Sequence, residues 1–389
     1  MRYKLFFLSI IGVELFLRFF FPNLASDIFS LEAVPLESPF IYNQEIGYEL
    51  KPHALIRIGV MNNFCFERLN SYGFRGPEYK IPKPGNVFRI LAVGDSLVQQ
   101  QELSYTDTWE QVLERMLNKK NSNLTYEVIN AGIGGYVCWQ VKQRLKNKGI
   151  LYQPDMVIVI VGKNDMVYSM LPYWKPGLNL ADIESSYERK NQPSRIGFFK
   201  KMRLFIYRYC YIMRMVRNIF NSLGDLMYRA RIILKHQKDS NIPFNQEALN
   251  LYLENLEDIY TIIKENKSRM VLVIWPTILT EKTISYPKVH RKLFLLYQHF
   301  PISTKELFLW NKRYIQAQRD FYKKHPDIIL IDGDHAFQNK GVYERISLFR
   351  DFVHMGKEGN IIIADLIYDN LKRYLGIDRY EINLYPASR

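Results

Sequence analysis

The stretch Arg89-Ile90-Leu91-Ala92-Val93-Gly94-Asp95-Ser96-Leu97 decides the fold. An apolar run that breaks at glycine and two short polar residues reads as a buried strand entering a turn and then a helix. A strand apolar on both faces belongs to a parallel sheet covered by helices on either side. The run itself spans residues 88–93, and similar runs recur at 126–130, 156–161, 270–275 and 328–331. Helical stretches stand between them, notably 109–117 and 248–266. This alternation predicts an α/β chain with a three-layer, doubly wound parallel sheet of about five strands. Ligands in such sheets bind beyond the C-terminal strand ends, and the polar blocks of the sequence fall there.

Four blocks carry groups suited to chemistry. Ser96 follows the first strand and opens a helix, where its hydroxyl meets the ligand-binding edge and its N–H points toward a forming oxyanion. An ordinary turn with a helix N-cap reads equally well from Gly94-Asp95-Ser96 alone. After the second strand comes Asn130-Ala131-Gly132-Ile133-Gly134-Gly135, whose glycines allow positive φ and close approach to a ligand, or serve a tight strand-to-helix turn. After the third, Gly162-Lys163-Asn164-Asp165 sets a side-chain amide at the same edge, as an oxyanion donor or a helix cap. Near the C-terminus Asp351-Phe352-Val353-His354 precedes an amphipathic helix expected at 356–375. A carboxylate beside an imidazole holds one ring nitrogen and stabilises the charged ring, which a general base requires. His335, in Asp332-Gly333-Asp334-His335, competes as a metal-ligand set or a plain loop histidine.

In this order the blocks Gly-Asp-Ser-Leu, Asn-x-x-x-x-Gly, Gly-x-Asn-Asp and Asp-x-x-His resemble the SGNH or GDSL hydrolase family over residues 86–375. The lead-in Ser71-Tyr72-Gly73-Phe74-Arg75-Gly76-Pro77-Glu78 and an N-terminal apolar segment with Glu14 and Arg18 are similar to its membrane-anchored bacterial members. The resemblance implies a flavodoxin-like SGNH hydrolase fold and no metal or organic cofactor. It assigns the nucleophile to Ser96, the general base to His354 and its orienting acid to Asp351. The oxyanion hole would be the N–H groups of Ser96 and Gly135 with the Asn164 amide, Gly135 being the residue that closes the six-residue block. Gln99, Gln100 and Gln101 stand where many relatives carry glycine, and their larger side chains would narrow the acyl pocket or add polar contacts, which favours small acyl groups over long ones. The implied substrate is an acyl ester on a glycan or lipid. Water as acceptor makes an esterase, and a sugar hydroxyl makes an O-acyltransferase on envelope glycan. A non-catalytic, membrane-anchored binding module is the alternative from another class.

The rest of the chain places this domain. Its 389 residues, 48% hydrophobic and 24% charged, are those of a packed globular protein. Cys65, Cys138 and Cys210 are too few for a disulfide framework and lack zinc-ligand spacing. Residues 1–22 hold an apolar run at 5–21, roughly 25 Å as a helix against a hydrocarbon core of about 30 Å. Glu14 and Arg18 stand four apart and can pair. Arg2 and Lys4 precede the run while Asp27, Glu32 and Glu37 follow it, so the reading is a transmembrane signal anchor with the rest of the chain extracytoplasmic. A cleaved signal peptide and an interfacial helix are the alternatives, the first opposed by the charged pair within the run. Residues 23–85 read as an irregular lead-in with a few short strands, and 376–389 as a tail. A helical insertion is expected at about 170–243, where residues 195–236 carry ten Lys/Arg against Asp225 alone, out of a net charge of +14. It would lie on anionic lipid or cap the sheet with solvated charges. No binding module accompanies the charge, and nucleic acid is not an expected partner.

Overall fold

The computed structural model describes residues 38–60, 63–119, 124–183, 227, 232, 242–300 and 302–377. The expected anchor at 1–22, most of the expected insertion and nearly all of the tail lie outside the described residues. Among the described residues no helix is long and apolar enough to cross a membrane. The described parts of 38–182 and of 236–389 form one compact unit.

The lead-in contains two antiparallel hairpins, β1 (Phe40–Asn43) with β2 (Gly47–Leu50) and β3 (Leu55–Val60) with β4 (Asn63–Arg68). The sheet proper follows: β5 (Val87–Gly94), β6 (Thr125–Asn130), β7 (Met156–Ile160), β8 (Arg269–Ile274) and β9 (Ile329–Asp332). All its pairings are parallel and the order is β6-β5-β7-β8-β9. Ile90 faces Val128 on one side and Met156 on the other, which fixes the register at the centre. Every residue of β7 is buried, as a strand covered on both faces requires. The chain steps from β5 outward to β6 and then crosses back to β7, so the order reverses at β5. A crevice opens at such a reversal beyond the C-terminal strand ends.

Helices connect the strands, the longer ones burying one apolar stripe each. They are α1 (Ser96–Gln99), α2 (Trp109–Leu117), α3 (Cys138–Asn147), α4 (Lys163–Tyr168), α5 (Gln246–Glu265), α6 (Pro287–Lys292), α7 (Phe294–His299), α8 (Thr304–Lys324), α9 (Gly333–Phe337), α10 (Val342–Leu348) and α11 (Lys357–Leu371). In α2 the stripe is Trp109, Val112, Leu113 and Met116; in α5 it is Leu249, Tyr252, Leu256, Ile259 and Ile263. The 3.6-residue period puts each set on one face. Asn245 starts α5 by accepting the Ala248 N–H, and Ser303 with Glu306 closes a capping box on α8. Helix α2 packs with α11, and α3 with α5. A reversal of direction across the sheet carries right-handed crossovers to the opposite face, so these pairs form the two outer layers.

Buried arginines tie the lead-in to the sheet edge. The Arg75 guanidinium, 2% exposed, donates to the carbonyls of Gln99 (2.9 Å), Gln100 (2.7 Å) and Leu103 (2.5 Å) and pairs with Glu67. Arg144 donates to Ala131 O and Gly73 O and lies over the Phe74 ring at 4.3 Å. A buried charge left without such partners would cost several kcal/mol. These contacts hold the loops that follow β5 and β6.

Candidate active site

Ser96 is the first residue of α1, directly after Asp95, whose carboxylate caps the helix by accepting the Leu97 N–H at 2.9 Å. The Ser96 hydroxyl lies 2.7 Å from His354 Nε2, and His354 Nδ1 lies 2.7 Å from Asp351 Oδ2. The other Asp351 oxygen accepts the N–H groups of Val353 and His354, so a three-residue turn fixes carboxylate and ring together. That turn is anchored beyond β8, where Trp275 Nε1 donates to Val353 O and Ile278 N to Phe352 O. Distant segments thus converge on one hydrogen-bonded chain at the C-terminal edge of the sheet. Ser96, Asp351 and His354 are all half-buried, so the chain can be reached from solvent.

The loop after β6 supplies a donor. The backbone N–H groups of residues 131–134 and 136–138 all have partners: Ala92 O, Asn130 Oδ1, Gly94 O, Gln99 Oε1, Ile133 O, Gln140 Oε1 and Asp165 Oδ1 in turn. Gly135 N–H has none among the described residues, and its φ of +80° suits glycine. That N–H, on a half-exposed glycine beside a serine, is open to a ligand atom. A Cβ added to the neighbouring Gly134 would stand 3.9 Å from Ser96 Cβ, which sets the two segments side by side. The Ser96 N–H is likewise unpartnered among the described residues. Asn164, the third expected donor, differs: its Nδ2 donates to Tyr136 O at 2.9 Å and to Asp95 Oδ2 at 3.3 Å.

Charge at the site is set by burial and by the carboxylates. Burial works against the His354 imidazolium, but Asp351, Glu102 and Asp95 outweigh it and raise the ring to about 9. For Asp351 burial pushes upward, yet His354 and the turn N–H groups hold it below the usual carboxylate value. Burial raises Asp95 to about 6 and Asp165 to about 7, against the backbone N–H groups of Leu97 and Cys138. Lys163, whose Nζ donates to Asn311 Oδ1, is pushed down by burial to about 8. Among the described residues the group with metal-ligand spacing is Glu102, Asp351 and His354. Both ring nitrogens of His354 are already engaged there, which leaves Glu102 as added negative charge facing the imidazolium. His335 is exposed, and the carboxylates beside it are paired with Arg319.

Sequence reading brings Ser96, Gly135, Asn164, Asp351 and His354 to this edge but misses what holds it. Of the two roles expected of the glutamines, polar contacts are the one seen at Gln99 and Gln101. Gln99 is buried with its Oε1 on Gly134 N–H, Gln100 adopts a left-handed turn at φ +51°, and Gln101 reaches out to Arg57 O. Tyr48 Oη donates to Gly134 O at 2.9 Å and Tyr168 Oη to Gly135 O at 3.1 Å. No local pattern announces these, since each partner is remote in sequence or a backbone atom.

The model of the GDSL-like lipase/acylhydrolase family matches residues 92–361, a span that holds all five of these residues. No curated protein sequence matches the chain. Among solved structures, the chain is similar to an acetyl xylan esterase at 14% identity and a TM-score of 0.41, covering 72% of this chain and 98% of that one. It is similar to the lipase/acylhydrolase from Enterococcus faecalis at 15% identity and a TM-score of 0.41, covering 74% and 96%.

Proposed function

The chain belongs to the GDSL-like lipase/acylhydrolase family and is a serine hydrolase of that kind, and from this premise we propose that it cleaves a small acyl ester, acetyl foremost, with Ser96, His354 and Asp351 as its triad. The observation that carries the reading is the unbroken chain from Asp351 through His354 to Ser96, each link 2.7 Å. The Ser96 oxygen attacks the ester carbonyl carbon while its proton passes to His354 Nε2. Negative charge gathers on the carbonyl oxygen, which the N–H groups of Ser96 and Gly135 receive. The Asn164 amide is the third donor, giving up its weaker 3.3 Å contact to Asp95. As the C–O bond to the alcohol breaks, His354 protonates that leaving oxygen. Water then attacks the acyl-enzyme, again losing a proton to His354, and the carboxylic acid departs with Ser96 restored.

The charges flanking the apolar run of residues 1–22 support a location on the extracytoplasmic face of a membrane. A reporter fused after residue 377 that is active only outside the cytoplasm tests that placement. For the chemistry, Ser96→Ala is expected to abolish both p-nitrophenyl acetate hydrolysis and fluorophosphonate labelling with its circular dichroism unchanged. Full labelling of that variant removes Ser96 as the nucleophile.

A further inference from the structure

We infer that the Tyr48 hydroxyl, carried on the β1–β2 hairpin outside the family-matched residues 92–361, is a positioning group that aims the Gly135 N–H at the reacting carbonyl. The inference rests on the acyl-transfer reading above and adds to it a part of the chain outside the family-matched span.

The geometry is that of one peptide unit. The carbonyl of Gly134 and the N–H of Gly135 belong to the same planar, trans amide, so fixing where the oxygen points fixes the hydrogen in the opposite direction. Tyr48 Oη donates to that oxygen at 2.9 Å. Glycine on both sides of the unit makes it free to rotate unless something holds it, because neither residue restricts φ. On the far side of Gly134 the preceding unit is held as well, its N–H donating to Gln99 Oε1 at 2.8 Å. The amide that Tyr48 holds, next to the one that Gln99 holds, thereby has its own N–H directed away from Tyr48, and that N–H is the donor left without a partner among the described residues.

Tyr48 is itself held in place. It is 7% exposed, and its ring meets that of Tyr136 edge-on at 5.2 Å and that of Phe40 at 5.6 Å. Its carbonyl accepts the Tyr136 hydroxyl at 2.6 Å, and two residues earlier Ile46 O accepts Gln140 Nε2 at 2.7 Å. The hairpin is therefore docked on the loop and helix that follow β6, and the hydroxyl is delivered from a rigid support. An oxyanion donor contributes through its direction as well as its presence. A hydroxyl that only helped the hairpin to dock would lack this consequence.

The test is Tyr48→Phe, which keeps the ring and removes one oxygen. Rates of p-nitrophenyl acetate hydrolysis are normalised to sites titrated with a fluorophosphonate, so that only folded sites are counted. The expected result is a fall in kcat of roughly 10-fold or more at an unchanged KM, since aiming acts on the transition state. Affinity for a boronic acid that forms a tetrahedral serine adduct is expected to fall in proportion, and the pH at half-maximal kcat/KM to stay put because the His354–Asp351 pair is untouched. Gln99→Leu, which frees the other anchor, is expected to lose kcat in the same way and Gln99→Glu, which keeps the acceptor, to recover most of it; this pair decides the matter should Tyr48→Phe not fold. Wild-type kcat in Tyr48→Phe, or a loss matched by an equal rise in KM, overturns the inference while the triad reading stands. An inactive wild type that fluorophosphonate does not label overturns the reading beneath it.

Discussion

Replacing Asp351 with asparagine should alter the rate by an amount that depends strongly on pH, and the size of that dependence follows from the site. His354 is raised to about 9 chiefly because Asp351 outweighs burial. Catalysis needs the neutral ring, and only about 1% of it is neutral at pH 7 when the pair titrates near 9. Wild-type kcat/KM should therefore climb almost tenfold per unit from pH 7 and level off above about pH 9, the inflection belonging to the coupled pair and not to either group alone. Asp351→Asn loses the charge, and with its single oxygen held by the Val353 and His354 N–H groups it turns an amide N–H toward the ring. Burial and that donor pull His354 well down from about 9 against Glu102 and Asp95 and hold the ring in the neutral, wrong tautomer. The variant is nearly all neutral at pH 7. It loses the stabilised imidazolium, a loss of up to about 10⁴ where both proteins are neutral. At pH 7 the wild type forfeits roughly 100-fold through protonation, so the ratio of the two rates should be about 10² there and widen about 100-fold by pH 9.5. Second-order labelling by a fluorophosphonate measures this without a known substrate, with Ser96→Ala as the blank. A ratio that stays constant from pH 7 to 9.5, or a wild-type plateau that extends below pH 7, refutes the reasoning.

Two further perturbations test the frame around the site. Arg75→Met strands two buried backbone carbonyls, those of Gln99 and Leu103, while Gln100 O keeps the Leu103 N–H; at about 1–3 kcal/mol for each orphaned group, a melting point lower by about 4 °C or more is expected, and calorimetry showing no change counts against the staple. Glu110 is fully buried, its carboxyl raised by burial to about 8 although Asn130 Nδ2 donates to it at 3.0 Å. The folded state therefore binds this proton more tightly than the unfolded one, and stability falls as pH rises between about 4.5 and 8. Glu110→Gln removes that dependence, so its melting point relative to wild type should be several degrees higher at pH 9 than at pH 5; equal differences at the two pH values refute the buried proton.

What the sequence could and could not disclose divides along a physical line. The five sheet strands lie within a residue or two of their expected places because strands buried on both faces must be continuously apolar, and the glycines and polar residues that end them cannot be hidden inside such runs. Asp351 and His354 are legible together for a local reason: three residues on one turn put carboxylate and ring within reach, with the turn N–H groups holding the same carboxylate. The lead-in gives no such signal. Its strands are four to six residues long and its burial depends on surfaces contributed by α3 and the loop after β6, so neither a period nor a continuous apolar run appears. Arg75 and Arg144 look like surface charges until the carbonyls they serve are brought alongside, and those carbonyls belong to whichever residues stand there. Gln99 is the instructive case, because its position after the serine attracts notice and its side chain suggests a narrowed pocket or added polar contacts without saying which atom it would meet. In the folded chain that side chain is turned inward to the Gly134 N–H, where the same bulk serves as an anchor. Groups that react announce themselves through residue type and spacing, whereas groups that hold a backbone amide in place are chosen by a distance no linear pattern records, and the donor at Gly135 is held by groups of the second sort.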